Sequence, residues 1–147
     1  MTMKRLKSAR GAALLEAALT LPLMLLVSVS IFEFGRAYQT WQILTNAVRE
    51  GARVAVLPNE APADVQARVR SYMVGGQLPN AATATVSVTP TQIAIGATIA
   101  AGSRVTVNYP FQFIVLQPVA QLVVSGSTLG AGPVTMTASA EMRNEAQ

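Results

Sequence analysis

Residues 4–32 read KRLKSARGAALLEAALTLPLMLLVSVSIF. Four cations, Lys4, Arg5, Lys7 and Arg10, lead to Gly11; in the apolar run that follows, Glu16 is the one charge, and residues 17–32 carry none. A bilayer core takes about 20 mostly apolar helical residues, so residues 11–32 are long enough to cross it. Glu16 is the misfit. A carboxylate within a membrane helix costs on the order of 2.5–3.5 kcal/mol on insertion scales, and such residues are functional candidates by default. The plain alternative is an anchor with one tolerated acid near its cytoplasmic end. An ordinary secretory signal has an apolar region of roughly 7–15 residues and a small-x-small cleavage site. Ser28-Val29-Ser30 has the form of such a site, so cleavage there, releasing a soluble body, is the rival topology.

Charge is unevenly placed along the 147 residues. The net +4 is carried by the four leading cations; the remainder holds seven basic and seven acidic residues and balances. Cations on the N-terminal flank place that end in the cytoplasm and the C-terminal body outside the inner membrane. The body has no basic patch with interleaved aromatics, so nucleic acid is not an expected partner. The chain has no Cys and no His. There is then no disulfide framework, no thiolate nucleophile, and neither the commonest general base nor the commonest metal ligand. No catalytic, metal or cofactor site is expected. A hydrolase would have to use Glu60, Asp64, Glu141 or Glu145, which read as solvated termini or helix-start charges.

Outward from the apolar run, no strong breaker separates Pro22 from Pro58. A helix over residues 12–57 would be roughly 69 Å long at ~1.5 Å per residue. Pro22 removes a backbone donor and is expected to kink or locally open it; Gly35 is a second soft point. Beyond Phe32 the pattern turns amphipathic. Gln39, Gln42, Asn46, Arg49 and Arg53 share one face, with Phe34, Trp41, Leu44, Val48 and Ala55 expected opposite, packed on the body. Glu50 and Arg53 are spaced to pair. A second helix starts at Ala61-Pro62, with Pro at the first helical position, an inward stripe of Val65, Val69, Tyr72 and Met73, and a stop at Gly75-Gly76.

From Ala81 the period becomes two. Residues 83–89 form a half-buried strand that Pro90 is expected to end. Residues 91–102 read as a loop or a ragged short strand. Val105, Val107 and Tyr109 share one side of a second strand, which Pro110 bends or confines to an edge. Residues 119–124 are a packed loop or a short strand, and Val134–Met142 is a third clear strand. The fold class is α+β: a long N-terminal transmembrane helix, a short second helix, and a small antiparallel sheet of three or four strands with one face under the long helix.

A basic leader ending in Gly11, four apolar residues, then Glu16 and a long apolar helix resembles a class III, or prepilin-type, signal. The stretch GAALLEAALTLPLMLLVSVSIFEFGRAY, followed by LTNAVREGARVAV, is similar more narrowly to TadE-type proteins of the tight-adherence (Flp, type IVb pilus) system. Glu16, Pro22, the Glu33/Gly35 pair and residues 47–53 carry the likeness, over residues 10–56; VTVNYPF at 105–111 and TMTASAEMR at 135–143 add to it. TadE fits better than the related TadF or TadG types. Ala17 stands where such proteins often carry an aromatic.

The resemblance implies a pilin-like fold with a leader peptide (1–11), a transmembrane half-helix (12–33), an extracytoplasmic half-helix (34–57) and a C-terminal α/β body (58–147). It implies cleavage after Gly11 by a prepilin peptidase. Ala12 would then be the new N-terminus, and its amine would neutralise Glu16 of a neighbouring subunit. Glu16 and Pro22 are the assembly residues. The implied role is a minor pilin or pseudopilin, inserted in the inner membrane and incorporated at an end of a pilus. Its partners would be the major Flp pilin, other minor pilins, an assembly platform and a cytoplasmic ATPase. An exported periplasmic binding module released by ordinary signal peptidase is the alternative function.

Overall fold

The structure, a computed structural model, describes residues 3–96, 98–123 and 132–144. One helix, α1 (Met3–Ala55), runs into a head made of α2 (Pro62–Gly75), β1 (Thr85–Ile95), β2 (Thr98–Phe111), α3 (Leu116–Val123) and β3 (Val134–Arg143). The fold is α+β, with an antiparallel sheet of three strands in the order β1-β2-β3.

At 53 residues α1 extends roughly 80 Å at ~1.5 Å per residue. It starts before Gly11, and it stays helical through Pro22 rather than opening there. From Gly11 to Phe32 its apolar side chains stand almost wholly exposed; Leu14, Leu19, Leu25 and Ile31 have no cover among the described residues. From Glu33 onward one stripe is buried: Glu33, Ala37, Thr40, Leu44, Ala47, Val48 and Ala52. These fall at the three- and four-residue spacings of one helix face. Phe34 and Trp41, expected inside, lie on the neighbouring row with Tyr38 and are exposed. The small residues take the core positions because both α2 and the sheet press close to the helix there. At Gly51 a Cβ would overlap Val69 Cγ2 and stand 3.4 Å from Val105 Cγ1. Only a residue without a side chain lets α1, α2 and β2 meet at that point.

Helix α2 begins as its sequence dictates, with Pro62 at the first turn and the Asp64 carboxylate accepting the Ala61 N–H at 3.3 Å. Val65, Val69 and Met73 are buried, whereas Tyr72 is exposed rather than inward. The sheet lays Val105, Val107, Tyr109, Phe111 and Ala138 of β2 and β3 on the α1 side, while Val86 joins the same core from β1, which packs toward α2.

Both strand prolines sit inside strands. Pro90 does not end β1; it pairs with Ser103 and the strand runs on to Ile95, turning at Gly96 (φ +61°) into β2. Residues 91–102 are therefore the distal part of a hairpin and not a loop. An edge strand tolerates a missing donor, and β1 is an edge. Pro110 lies in the central strand, but β1 reaches only Asn108, so Pro110 is paired on the β3 side alone. Its carbonyl accepts the Asn80 side-chain amide at 2.9 Å. Residues 116–123 are helical, which corrects the expectation of a loop or strand from 119; residues 124–131 lie outside the described residues.

Candidate functional site

The exposed half of α1 accounts for nearly all its own polar groups. Thr20 donates to the Glu16 carbonyl at 2.9 Å, Ser28 to Met24 at 2.9 Å and Ser30 to Leu26 at 2.7 Å. Each hydroxyl is thus satisfied four residues back on its own helix. This is the condition for placing such residues in lipid, where no water replaces a missing partner. Pro22 leaves the Ala18 carbonyl without its usual helical donor. The Glu16 carboxylate is exposed and has no partner among the described residues. Gly11 and Ala12 are exposed one helical turn earlier, with open space around Gly11. The four positions singled out in the sequence (Gly11, Ala12, Glu16 and Pro22) therefore share an unburied stretch that contributes nothing to the core of the head.

The second acid of the helix has the opposite setting. Glu33 is fully buried. One carboxylate oxygen accepts the backbone N–H groups of Ile114 and Val115, both at 2.8 Å, and the other accepts from Arg36 at 3.1 Å. Those two N–H groups immediately precede α3, so Glu33 pins the entry to that helix from 81 residues away. Around this staple, Phe113 packs edge-on against both Phe34 and Phe111, with ring centres 5.9 Å and 5.1 Å away, and Arg36 sits over the Phe111 ring. The role of Glu33 was missed in the sequence, although its position, the first charge after an apolar run with Arg at i+3, was the available signal.

Higher on the helix, Glu50 bridges to α2. It accepts from Arg68 at 2.8 Å and from Arg53 at 3.3 Å. The Arg68 hydrogen bonds, aided by the charge of Arg53, hold its carboxyl below the usual carboxylate range, partly opposed by burial. A cleft of about 430 Å³ beside this bridge is open to solvent, and its charged residue, Arg68, is already engaged by Glu50. The carboxylates considered for hydrolysis are dispersed. Asp64 caps α2, Glu141 pairs with Arg104 across the strands, Glu60 is exposed in the preceding loop, and Glu145 lies outside the described residues. No group of three potential metal ligands occurs among the described residues.

These features define a protein built on one helix long and apolar enough to cross a bilayer, continuous with a small α+β head. Residues 11–53 of that helix match the family model described as TadE-like protein. The match takes in Gly11, Glu16, Pro22, Glu33 and Gly51, and stops before the head; the similarities at 105–111 and 135–143 lie outside it. Comparison with curated proteins and with solved structures gives no match.

Proposed function

We propose that the chain is a minor pilin or pseudopilin of a Tad pilus, whose work is assembly and not catalysis. In this reading α1 is inserted with its N-terminus in the cytoplasm, and the head lies outside the inner membrane. A prepilin peptidase cuts after Gly11, and the helix then joins a bundle of subunit helices with major and minor pilins, on a platform driven by a cytoplasmic ATPase. The observation that carries the reading is the contrast along α1: a span that satisfies its own hydroxyls yet leaves the Glu16 carboxylate unpaired. A lone carboxylate in an apolar setting needs an opposite charge and hydrogen-bond donors to be tolerated. The amine of a processed Ala12 on an adjacent subunit has both. The uncharged helix face and the TadE-like match over 11–53 support the same role.

The test is mass spectrometry of the membrane-extracted protein from cells with and without the peptidase, joined to a Glu16→Ala variant. The expected mature N-terminus is Ala12, present only with the peptidase. Glu16→Ala is expected to keep a folded head but to lose co-purification with the other pilins. A mature terminus after Ser30, with the head in the soluble periplasmic fraction, would replace this reading with the released binding module. Normal assembly by Glu16→Ala would reduce the acid to a tolerated residue.

A further inference from the structure

The head carries an apolar corner at a place fixed by the helix itself. Ile114 and Val115 donate their backbone N–H groups to the carboxylate of Glu33. Glu33 directly follows the uncharged run 17–32. Whatever depth the end of the span has in a bilayer, Ile114 and Val115 have it too. Their side chains face outward, 61% and 40% exposed, and Val119 on the next turn of α3 is exposed as well. Phe34 and Tyr38, exposed on α1 beside and just above this level, add aromatic surface of the kind enriched where helices leave the hydrocarbon. One turn below, Val29 and Ser30 are half-buried in a stretch that is otherwise bare, and α3 contacts α1.

We propose that the 113–123 segment is a lipid-facing foot: Ile114, Val115 and Val119 dip into the outer-leaflet boundary of the bilayer that α1 spans. The inference rests on reading residues 11–32 as a span and not on the pilus assignment. Three properties select lipid as the occupant. The segment has no charge to desolvate; between Arg104 and Glu141 the chain contains none at all. The two N–H groups that lead into it, those of Ile114 and Val115, are served by a buried acid rather than by water, which suits a chain entry at the edge of hydrocarbon. Along α3 apolar residues recur at Leu116, Val119 and Ala120, the first and last half-buried and Val119 exposed, at the spacing of a helix lying along an interface. The foot would fix the tilt of the head over the membrane and give α1 a second point of contact with lipid.

The chain has no cysteine, so single nitroxide labels can be placed without background. Full-length protein carrying Ile114→Cys, Val119→Cys, Leu25→Cys or Ile95→Cys is reconstituted at one chain per nanodisc, in phosphatidylcholine with phosphatidylglycerol. Power saturation then compares collision with oxygen, which concentrates in lipid, and with a water-soluble nickel chelate. Labels at 114 and 119 are expected to shift toward oxygen and away from nickel relative to the hairpin tip at 95, approaching the label at 25. Nickel accessibility at 114 and 119 equal to that at 95, with 25 still in lipid, overturns the foot and leaves the span intact. A water-exposed label at 25 overturns the span reading beneath it. Labels at 114 and 119 shielded from both reagents would show that protein, a neighbouring segment or copy, covers the corner instead, and would also overturn the proposal.

Discussion

Glu33→Ala should release α3 from α1 without unfolding the sheet. The substitution removes the acceptor for two backbone donors at 2.8 Å and the partner of Arg36 at 3.1 Å. Orphaning a buried donor costs roughly 1–3 kcal/mol. Ile114 and Val115 are themselves exposed, so in detergent water recovers part of that loss, and about 1–2 kcal/mol per donor is the fitting range. The Arg36 bond adds little, because that side chain is 31% exposed and pairs of this kind are worth about 0–1 kcal/mol. The sum, about 2–4 kcal/mol, corresponds to a roughly 30- to 700-fold rise in local opening. Hydrogen exchange of the full chain in detergent, read by mass spectrometry, measures it directly. Amides of 113–123 should lose protection on that scale, while the paired amides of 104–109 keep theirs. Glu33→Gln retains an oxygen at the same place, exchanging charge-assisted bonds for neutral ones of roughly half the strength, so its loss should be distinctly smaller. Unchanged protection at 113–123 in Glu33→Ala would refute the staple. A loss spread equally over the strands would show that Glu33 supports the whole head, which also contradicts it.

The crossing point of the two helices gives a second expectation. Gly51→Ala gains helix propensity of about 0.5–1 kcal/mol but forces a methyl into Val69 and toward Val105, an overpacking cost of about 1–3 kcal/mol. The head should melt lower by circular dichroism, and Val69→Ala in the same chain should recover part of the loss; a more stable Gly51→Ala would mean that the contact yields freely. The Glu50 bridge makes stability depend on pH. Its folded-state carboxyl lies below its ordinary value because of Arg68, so the stabilisation is complete above the unfolded pKa of about 4.3 and disappears as the pH falls through the lower folded value. Urea midpoints taken from neutral pH down through the acid range should show that loss, and Arg68→Met should weaken it.

The helix was legible because its signals are local and redundant: a run without charge, a periodic stripe beyond it, and no breaker. The third strand and the capped start of α2 were legible for the same reason. The misreadings share a cause. Proline was expected to end β1, but whether a missing N–H matters depends on whether a neighbouring strand lies on that side, and strand order is a tertiary fact. Phe34 and Trp41 were placed in the core because they lie opposite the polar face, yet the close approach of α2 and the sheet selects Gly51, Ala47 and Ala52 at the contact instead. Helix α3 is short and starts with no capping side chain of its own; what stabilises its start is Glu33, far away in the sequence. Tyr72 was misplaced by one helix row for a like reason, since only the packed structure shows how wide the buried stripe of α2 is.

Two of the three acids of α1, Glu16 and Glu33, argue best together. Both follow the same local rule, a carboxylate beside a long apolar run, and composition cannot separate them. The head separates them: it bends back to give Glu33 two backbone donors, beside the Arg36 that α1 itself places three residues on, at the cost of ordering an entire connection from Phe111 to α3. For Glu16, some 25 Å further along at ~1.5 Å per residue, no described part of the chain offers a donor, while every neighbouring hydroxyl is turned onto the helix backbone. A carboxylate met within the chain is a device of folding. One that the folded chain leaves open, on a helix face with nothing else polar to offer, is on the proposed reading met from outside, by the terminal amine of a neighbouring helix in an assembly.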